Sequence, residues 1–392
     1  MREVYIAAAA RTPIGDFLSS LSSLSAVDLG LKVTAAVLEK AGLAPGAVSE
    51  VVAGMIYKAG VKGNPARQIQ LGAGCPVEGI ACTIDQQCAS GMRAVDVLSQ
   101  QITLGRTDVG VAVGTESMSN APYIAARVRS GLRMGDSALI DSITHEGLNC
   151  AICDYHMGVT AENLAHDYKI SREEQDELAC LSHARAIAAQ KSGRFNDEIV
   201  PVEIIGRKGA VTVVDKDEHP KETSLESLSK LKPAFKKDGT VTAGNASGIN
   251  DGAAALLLAA KEAVNKWQLK PLGKILGIAS VGVAPDKMGI GPVYALPKAL
   301  AYAGLSLADI GYFEINEAFA AQFLACDREL KLNMDKVNGN GSGIGLGHPV
   351  GCTGVRIIVS LLYEMKRRGV RYGAASLCVG GGPAMATIVE SL

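Results

Sequence analysis

Asp85-Gln86-Gln87-Cys88-Ala89-Ser90-Gly91-Met92-Arg93-Ala94 is the stretch on which the reading of the fold turns. An apolar run, Ala81 to Ile84, gives way here to apolar residues at helical spacing: Ala94, Val95, Val97, Leu98 and Ile102. That change of period predicts a strand running into a helix that begins near Ala89. Cys88 then lies at the helix N-terminus, where unpaired backbone N–H groups and the macrodipole favour an anion. The position suits a thiolate nucleophile with room for an acyl group among small neighbours. It suits equally a buried cysteine acting as a small hydrophobe, so this stretch alone leaves both open.

Working outward, Val4 to Ala9 reads as a buried strand, followed by the turn Arg11-Thr12-Pro13-Ile14-Gly15. Ala26 to Ala41 reads as a helix closed by Gly42, and Val48 to Met55 as a strand. Asn64-Pro65 opens another helix, Ile80 to Ile84 is the strand before Cys88, and Val109 to Val113 is one more. Alternating strands and helices put helices against a largely parallel or mixed sheet. The order then repeats. Ala41-Gly42-Leu43 returns as Ala303-Gly304-Leu305, an offset of 262 (41 to 303). Ser90-Gly91-Met92-Arg93 returns as Thr353-Gly354-Val355-Arg356, an offset of 263 (90 to 353). Ala112-Val113-Gly114-Thr115 resembles Cys378-Val379-Gly380-Gly381 at a similar offset. Such spacing implies a duplicated α/β unit, residues 1–118 and 250–392, with Cys88 and Cys378 near a common interface. Residues 119–249 form an insertion of different character. It carries a charged helix, Ser171 to Gly193, with Ser171 as N-cap and Glu174 as capping-box partner, and a loop, Ala243 to Gly248. Such an insertion either builds a binding surface over a site or is a structural addition.

The bulk properties narrow the class. The 392 residues are 48% hydrophobic and 20% charged, with a formal net charge of −1, which excludes a disordered chain. A near-neutral balance argues against nucleic acid or an anionic membrane as the main partner. Nine cysteines in a chain this long do not read as a disulfide framework. The start, Met1-Arg2-Glu3-Val4, enters a strand directly, and no apolar run reaches membrane-spanning length. A cytoplasmic location is the expectation.

Three further stretches carry candidate chemistry. Asn316-Glu317-Ala318-Phe319-Ala320 follows the strand Tyr312 to Ile315, where α/β sheets place functional groups, although Asn316 also suits a helix N-cap. Gly339 to Gly347 precedes His348-Pro349, and so many glycines would let backbone and side chain approach a ligand closely. Ser376-Leu377-Cys378 ends a strand and runs into Gly380-Gly381-Gly382. A metal site is not expected: Cys150 and Cys153, with His156 nearby, have no matching second pair.

Together these four stretches, their order and their spacing resemble the thiolase signatures, as do Tyr155-His156-Met157-Gly158 and the Ala243–Gly248 loop. The resemblance spans essentially the whole chain and is closest to the biosynthetic acetyl-CoA acetyltransferase branch. It implies two βαβαβαββ halves in a five-layered α/β/α/β/α core, a CoA-binding loop domain inserted between them, and a homotetramer or homodimer. It implies reversible Claisen condensation of two acetyl-CoA to acetoacetyl-CoA, acyl-CoA thioesters as substrates and no tightly bound cofactor. Cys88 is then the acyl-accepting nucleophile, His348 its base, and Cys378 the acid/base at the substrate α-carbon. Asn316, through a water, and His348 form one oxyanion hole; the backbone N–H groups of Cys88 and Gly380 form the other. Leu148, His156, Met157, Ser247, Ala318 and Phe319 line the pantetheine channel, and Phe235 lies near the adenine.

Some residues depart from the family pattern. Asp85-Gln86-Gln87-Cys88-Ala89 stands where Asn-x-x-Cys-Gly is frequent, the glycine run before His348 is about one residue longer, and Cys352 adds a thiol. These leave acyl-chain preference open, with a broader-chain 3-ketoacyl-CoA thiolase as the alternative. A decarboxylating ketoacyl synthase needs a histidine or asparagine where Cys378 stands. A non-catalytic acyl-CoA-binding relative needs the loss of Cys88, His348 or Cys378, and all three are present.

Overall fold

A computed structural model describes residues 2–206 and 209–392; Met1, where the chain's start was read, lies outside them. The first half runs β1 (Val4–Arg11), α1 (Ala26–Ala41), β2 (Glu50–Gly54), α2 (Pro65–Gly72), β3 (Ile80–Ile84), α3 (Ser90–Thr103) and β4 (Val109–Ser117). Two helices inside the insertion are α4 (Met157–Asp167) and α5 (Arg172–Lys191). Then follow β5 (Asn250–Ala260), α6 (Lys261–Trp267), β6 (Gly273–Gly282), α7 (Pro292–Ala303), β7 (Tyr312–Ile315), α8 (Ala320–Leu330), α9 (Val350–Arg368), β8 (Tyr372–Cys378) and β9 (Pro383–Ser391).

Local signals account for most element ends. Ser25 and Asp28 form a capping box on α1, and Gly42 closes that helix at φ 62°, where a side chain would be strained. Ser171 and Glu174 form the expected capping box on α5. Asn316 is not a helix N-cap: α8 starts only at Ala320, capped by Phe319.

The strands join in the order β7-β8-β9-β6-β1-β5-β4-β2-β3. β2 pairs in parallel with β3 and β4, and β7 with β8; the other neighbours are antiparallel. β1 and β6 share only three residue pairs, Val4 with Ile275, Tyr5 with Lys274 and Ile6 with Gly273, and this short ladder joins the halves. Alternate side chains point to opposite faces. Val51, Val111, Val113 and Leu257 pack outward against α1, α2 and α6. Val52, Ala112 and Leu256 pack inward, with Ala375, Leu377 and Met385 of the other half, around α3 and α9. Ala279, Phe313, Ala374 and Ile388 pack outward again, against α7 and α8. The result is the expected five-layered α/β/α/β/α core. Both faces of β5 are covered, so all 11 of its residues are buried.

One boundary differs from the sequence reading. β5, placed in the second half from residue 250, lies between β1 and β4 in the first half's sheet. It is the final strand of the first βαβαβαββ unit, separated from β4 by the insertion, and its counterpart in the second unit is β9. We therefore place the division between the halves after Ala260. The insertion is anchored at β1: Arg11, fully buried, pairs with Glu198 at 2.7 Å and with Asp217 at 2.6 Å.

The repeated Ser/Thr-Gly motif marks the point where the central helices cross. A side chain on Gly91 would begin 2.8 Å from the Gly351 carbonyl oxygen, and one on Gly354 would begin 2.4 Å from the Met92 nitrogen. Gly351→Ala is blocked likewise by Glu116 at 2.6 Å. Gly354→Ala should lower stability by about 1–3 kcal/mol in urea denaturation, despite alanine's better helix propensity. Gly46→Ala, whose methyl meets nothing within 4 Å, should change it by less than about 0.5 kcal/mol. Equal losses in the two variants would refute a tight crossing.

Candidate active site

The turn before α3 is built by its own side chains. Gln87 N donates to Asp85 Oδ1 at 3.0 Å, and the other Asp85 oxygen pairs with Lys58 at 2.9 Å. This Asx-type bond sets Gln87 at φ 48°, and Lys58 neutralises the aspartate that departs from the family's asparagine. Ser90 Oγ donates to the Gln87 carbonyl at 2.7 Å and accepts from Gln86 N at 2.9 Å, closing the turn around Cys88.

Cys88 stands two residues ahead of the first helical residue, partly exposed, and the expectation of a ready thiolate is not met. Burial pushes its thiol up to about 11, and the N–H groups of Gly380 and of Cys88 itself only partly offset this. Cys378 is buried and lies close enough for Cys88 to raise it further, after burial, well above an ordinary thiol. Both thiols therefore rest protonated, and ionising either one needs a base.

The tautomer of His348 gives it a ring nitrogen able to accept a proton. His348 is buried. Its Nδ1 lies 2.6 Å from Thr353 Oγ1, and that hydroxyl donates its one hydrogen to the Pro349 carbonyl at 3.0 Å. Nδ1 must therefore carry the ring proton, which leaves the lone pair on Nε2. Nε2 faces Asn316 Nδ2 at 3.5 Å, and Asn316 Oδ1 is buried without a protein partner. Burial, and secondarily the Arg356 charge, lower His348 from 6.5 to about 3, so it is neutral at physiological pH.

Three supporting residues escaped the sequence reading. Thr353 was noticed only as half of a repeat. Asn250, two residues past the loop singled out, accepts from His348 N at 2.9 Å and donates to the Gly15 carbonyl at 3.1 Å. Glu116 accepts from Ile56 N, Tyr57 N and Gly351 N at 3.0, 3.2 and 3.1 Å. It ties the start of α9 to the loop after β2. A buried carboxylate that satisfies three backbone donors in two distant segments has no local sequence signal.

The glycines before His348 serve packing more than ligand approach. Gly341 and Gly345 lie against Ser182 of α5, Gly343 against Glu317, and Gly347 against Asn250, each too close for a side chain. At the other loop, Gly381 and Gly382 adopt φ 87° and 105°, and a side chain on Gly380 would begin 2.5 Å from Met157 Cε.

The residues assigned to the substrate channel gather beside the two cysteines. Met157, Ala318 and Phe319 pack in one cluster with Cys378, and Phe235 lies against it. Leu148 and Cys88 pack against a second cluster, around Tyr57 and Ile143. His156 stacks on Phe235 with ring centroids 4.5 Å apart, and Phe235 meets Phe319 edge-on at 6.0 Å. Ser247 N donates to the Ala318 carbonyl at 3.0 Å, joining the Ala243–Gly248 loop to the Asn316 stretch. Among the described residues, no group of three or more His, Cys, Asp or Glu could hold a metal ion. No helix among them is long and apolar enough to cross a membrane.

Two family models cover nearly the whole chain: the thiolase N-terminal domain over residues 4–262 and the thiolase C-terminal domain over 269–391. The chain belongs to the thiolase family. The junction of the two thiolase models falls after β5, as the sheet order does. An acetyl-CoA acetyltransferase of Chromobacterium violaceum is 51% identical over 389 residues, 99% of each chain. The solved acetyl-CoA acetyltransferase of Syntrophomonas wolfei superposes with a TM-score of 0.98 at 49% identity, covering all of both chains. Human mitochondrial 3-ketoacyl-CoA thiolase superposes at 0.97 with 43% identity, over 100% of this chain and 99% of that one.

Two outcomes follow from the His348 geometry. Thr353→Val should slow acylation of the site cysteine by about tenfold or more and shift its pH profile, with Thr353→Ser restoring both. An unaltered profile in the valine variant would dissociate Thr353 from the tautomer. Separately, the folded imidazole binds no proton between pH 6.5 and about 3 while an ordinary one does, so stability falls as pH drops through that window. His348→Asn should flatten the loss seen by urea denaturation at pH 7 and at pH 4.5.

Proposed function

We infer that this thiolase is an acetyl-CoA C-acetyltransferase, joining two acetyl-CoA into acetoacetyl-CoA and CoA, or running the reverse thiolysis. The observation that carries the reading is a pair of neighbouring thiols, Cys88 and the buried Cys378, together with a neutral imidazole whose Nε2 carries the lone pair.

In the first half-reaction, His348 Nε2 takes the Cys88 proton as the sulfur attacks the acetyl thioester carbon. The developing oxyanion meets the N–H groups of Cys88 and Gly380. The C–S bond to CoA then breaks, and the imidazolium returns its proton to the leaving thiolate. In the second, His348 Nε2 takes the Cys378 proton, and the Cys378 thiolate takes a proton from the α-carbon of another acetyl-CoA. His348 and a water held by Asn316 stabilise the enolate oxygen. The carbanion attacks acetyl-Cys88, forming the new C–C bond and expelling the Cys88 thiolate, which takes back the imidazolium proton. The raised basicity of Cys378 suits a weakly acidic α-carbon. The mutual repulsion of the two sulfurs keeps only one ionised at a time.

Leu148, His156, Met157, Phe235, Ser247, Ala318 and Phe319 hold the CoA arm along the insertion. The short acyl class is favoured by the relatives' names, and thiolysis of longer 3-ketoacyl-CoA is the second reading. We also propose a homotetramer in the cytoplasm, acting in acyl-chain metabolism without a tightly bound cofactor. The hairpin Tyr123–Ala125/Leu139–Asp141 supports self-association: Tyr123, Leu139 and Met134 are 64%, 66% and 98% exposed. The nine free thiols support a reducing compartment.

Incubation with acetyl-CoA and peptide mass spectrometry should find the acetyl group on Cys88. Cys88→Ala should lose all transfer with the fold unchanged. Acetylation confined to another cysteine overturns the assignment.

A further inference from the structure

The residue before the nucleophile holds an unused hydrogen-bonding group. Gln87 Nε2 donates to the Glu146 carbonyl at 2.9 Å, while Gln87 Oε1 is buried without a partner. That bond fixes the orientation of the amide, because a flipped group would set its oxygen against the Glu146 oxygen. The side chain stands by the oxyanion-binding loop: its Cγ is 3.9 Å from where a side chain on Gly380 would begin. It thus bridges the nucleophile turn, Gly380 and the turn Ile143–Leu148 that leads into the channel residue Leu148. The residue also holds φ 48°, a left-handed conformation that a glutamine adopts at a cost. Local strain and an unpaired buried acceptor, combined at one position beside the reacting sulfur, point to a working role.

We propose that Gln87 is a specificity-determining residue that selects short acyl groups on Cys88 against long aliphatic ones. A short acyl group leaves space for a water to pair with the fixed amide oxygen. A longer chain passing this wall displaces that water and offers no donor in return, so the oxygen stays buried and unpaired. The inference rests on the acyl-transfer reading above.

The test is steady-state thiolysis of acetoacetyl-CoA and 3-ketooctanoyl-CoA by the full-length wild type, Gln87→Leu and Gln87→Met. Wild type should prefer acetoacetyl-CoA in kcat/KM. Both variants should raise the octanoyl-to-aceto ratio by about tenfold, mostly through the longer substrate. A wild type that cleaves both equally well overturns the inference even where a variant fails to fold. So does an unchanged ratio in a folded variant that still forms acetyl-Cys88. No acetyl-Cys88 and no thiolysis by wild type would instead remove the acyl-transfer reading itself.

Discussion

Two helices can approach backbone to backbone only where side chains are missing at the crossing, and this molecule is arranged around one such point. Gly91 and Gly351 with Gly354 let α3 and α9 touch in the middle layer, with Gly114 of β4 against the Gly351 and Cys352 carbonyls. The two helix starts come to the same place as a result. Cys88 precedes one and His348 the other, so these two residues are delivered by different halves of a duplicated chain. Glu116 secures the arrangement, since its carboxylate accepts from the loop after β2 and from the first turn of α9 together.

Burial governs the electrostatics of the site. Excluding water favours the neutral form of each group, which raises both thiols and lowers the imidazole. A helix terminus acts in the opposite direction at Cys88, but its effect is on the order of 1 kcal/mol, smaller than desolvation of a thiolate. The N–H groups of Gly380 and of Cys88 itself are the donors that partly offset this at the Cys88 sulfur. The insertion contributes by closing the site: Met157 against Gly380, Gln87 against Glu146, and the His156–Phe235–Phe319 aromatic cluster beside Cys378.

Where a few neighbouring residues decide the outcome, sequence reasoning reached it. The capping boxes of α1 and α5, the Gly42 terminus and the strand Tyr312–Ile315 are of this kind. Where it missed, a distant partner decided. β5 joins the first half because β1 and β4 hold it on both edges, which no local pattern records. The glycines before His348 look like a ligand loop but are required by Ser182, Glu317 and Asn250 pressing on them from other segments.

The sequence by itself determined the duplication, the presence of a long insertion, and the four stretches that carry candidate reactive groups. These follow from periodicity and from repeated short motifs, which are local properties of a chain. Only the tertiary structure decided the protonation states, the tautomer of His348 and the roles of Thr353, Asn250 and Glu116. Those depend on how completely water is excluded and on which atom lies within about 3 Å of which. Asn250 and His348 are 98 residues apart and Glu116 and Gly351 are 235, so such distances exist only once separate segments have packed together.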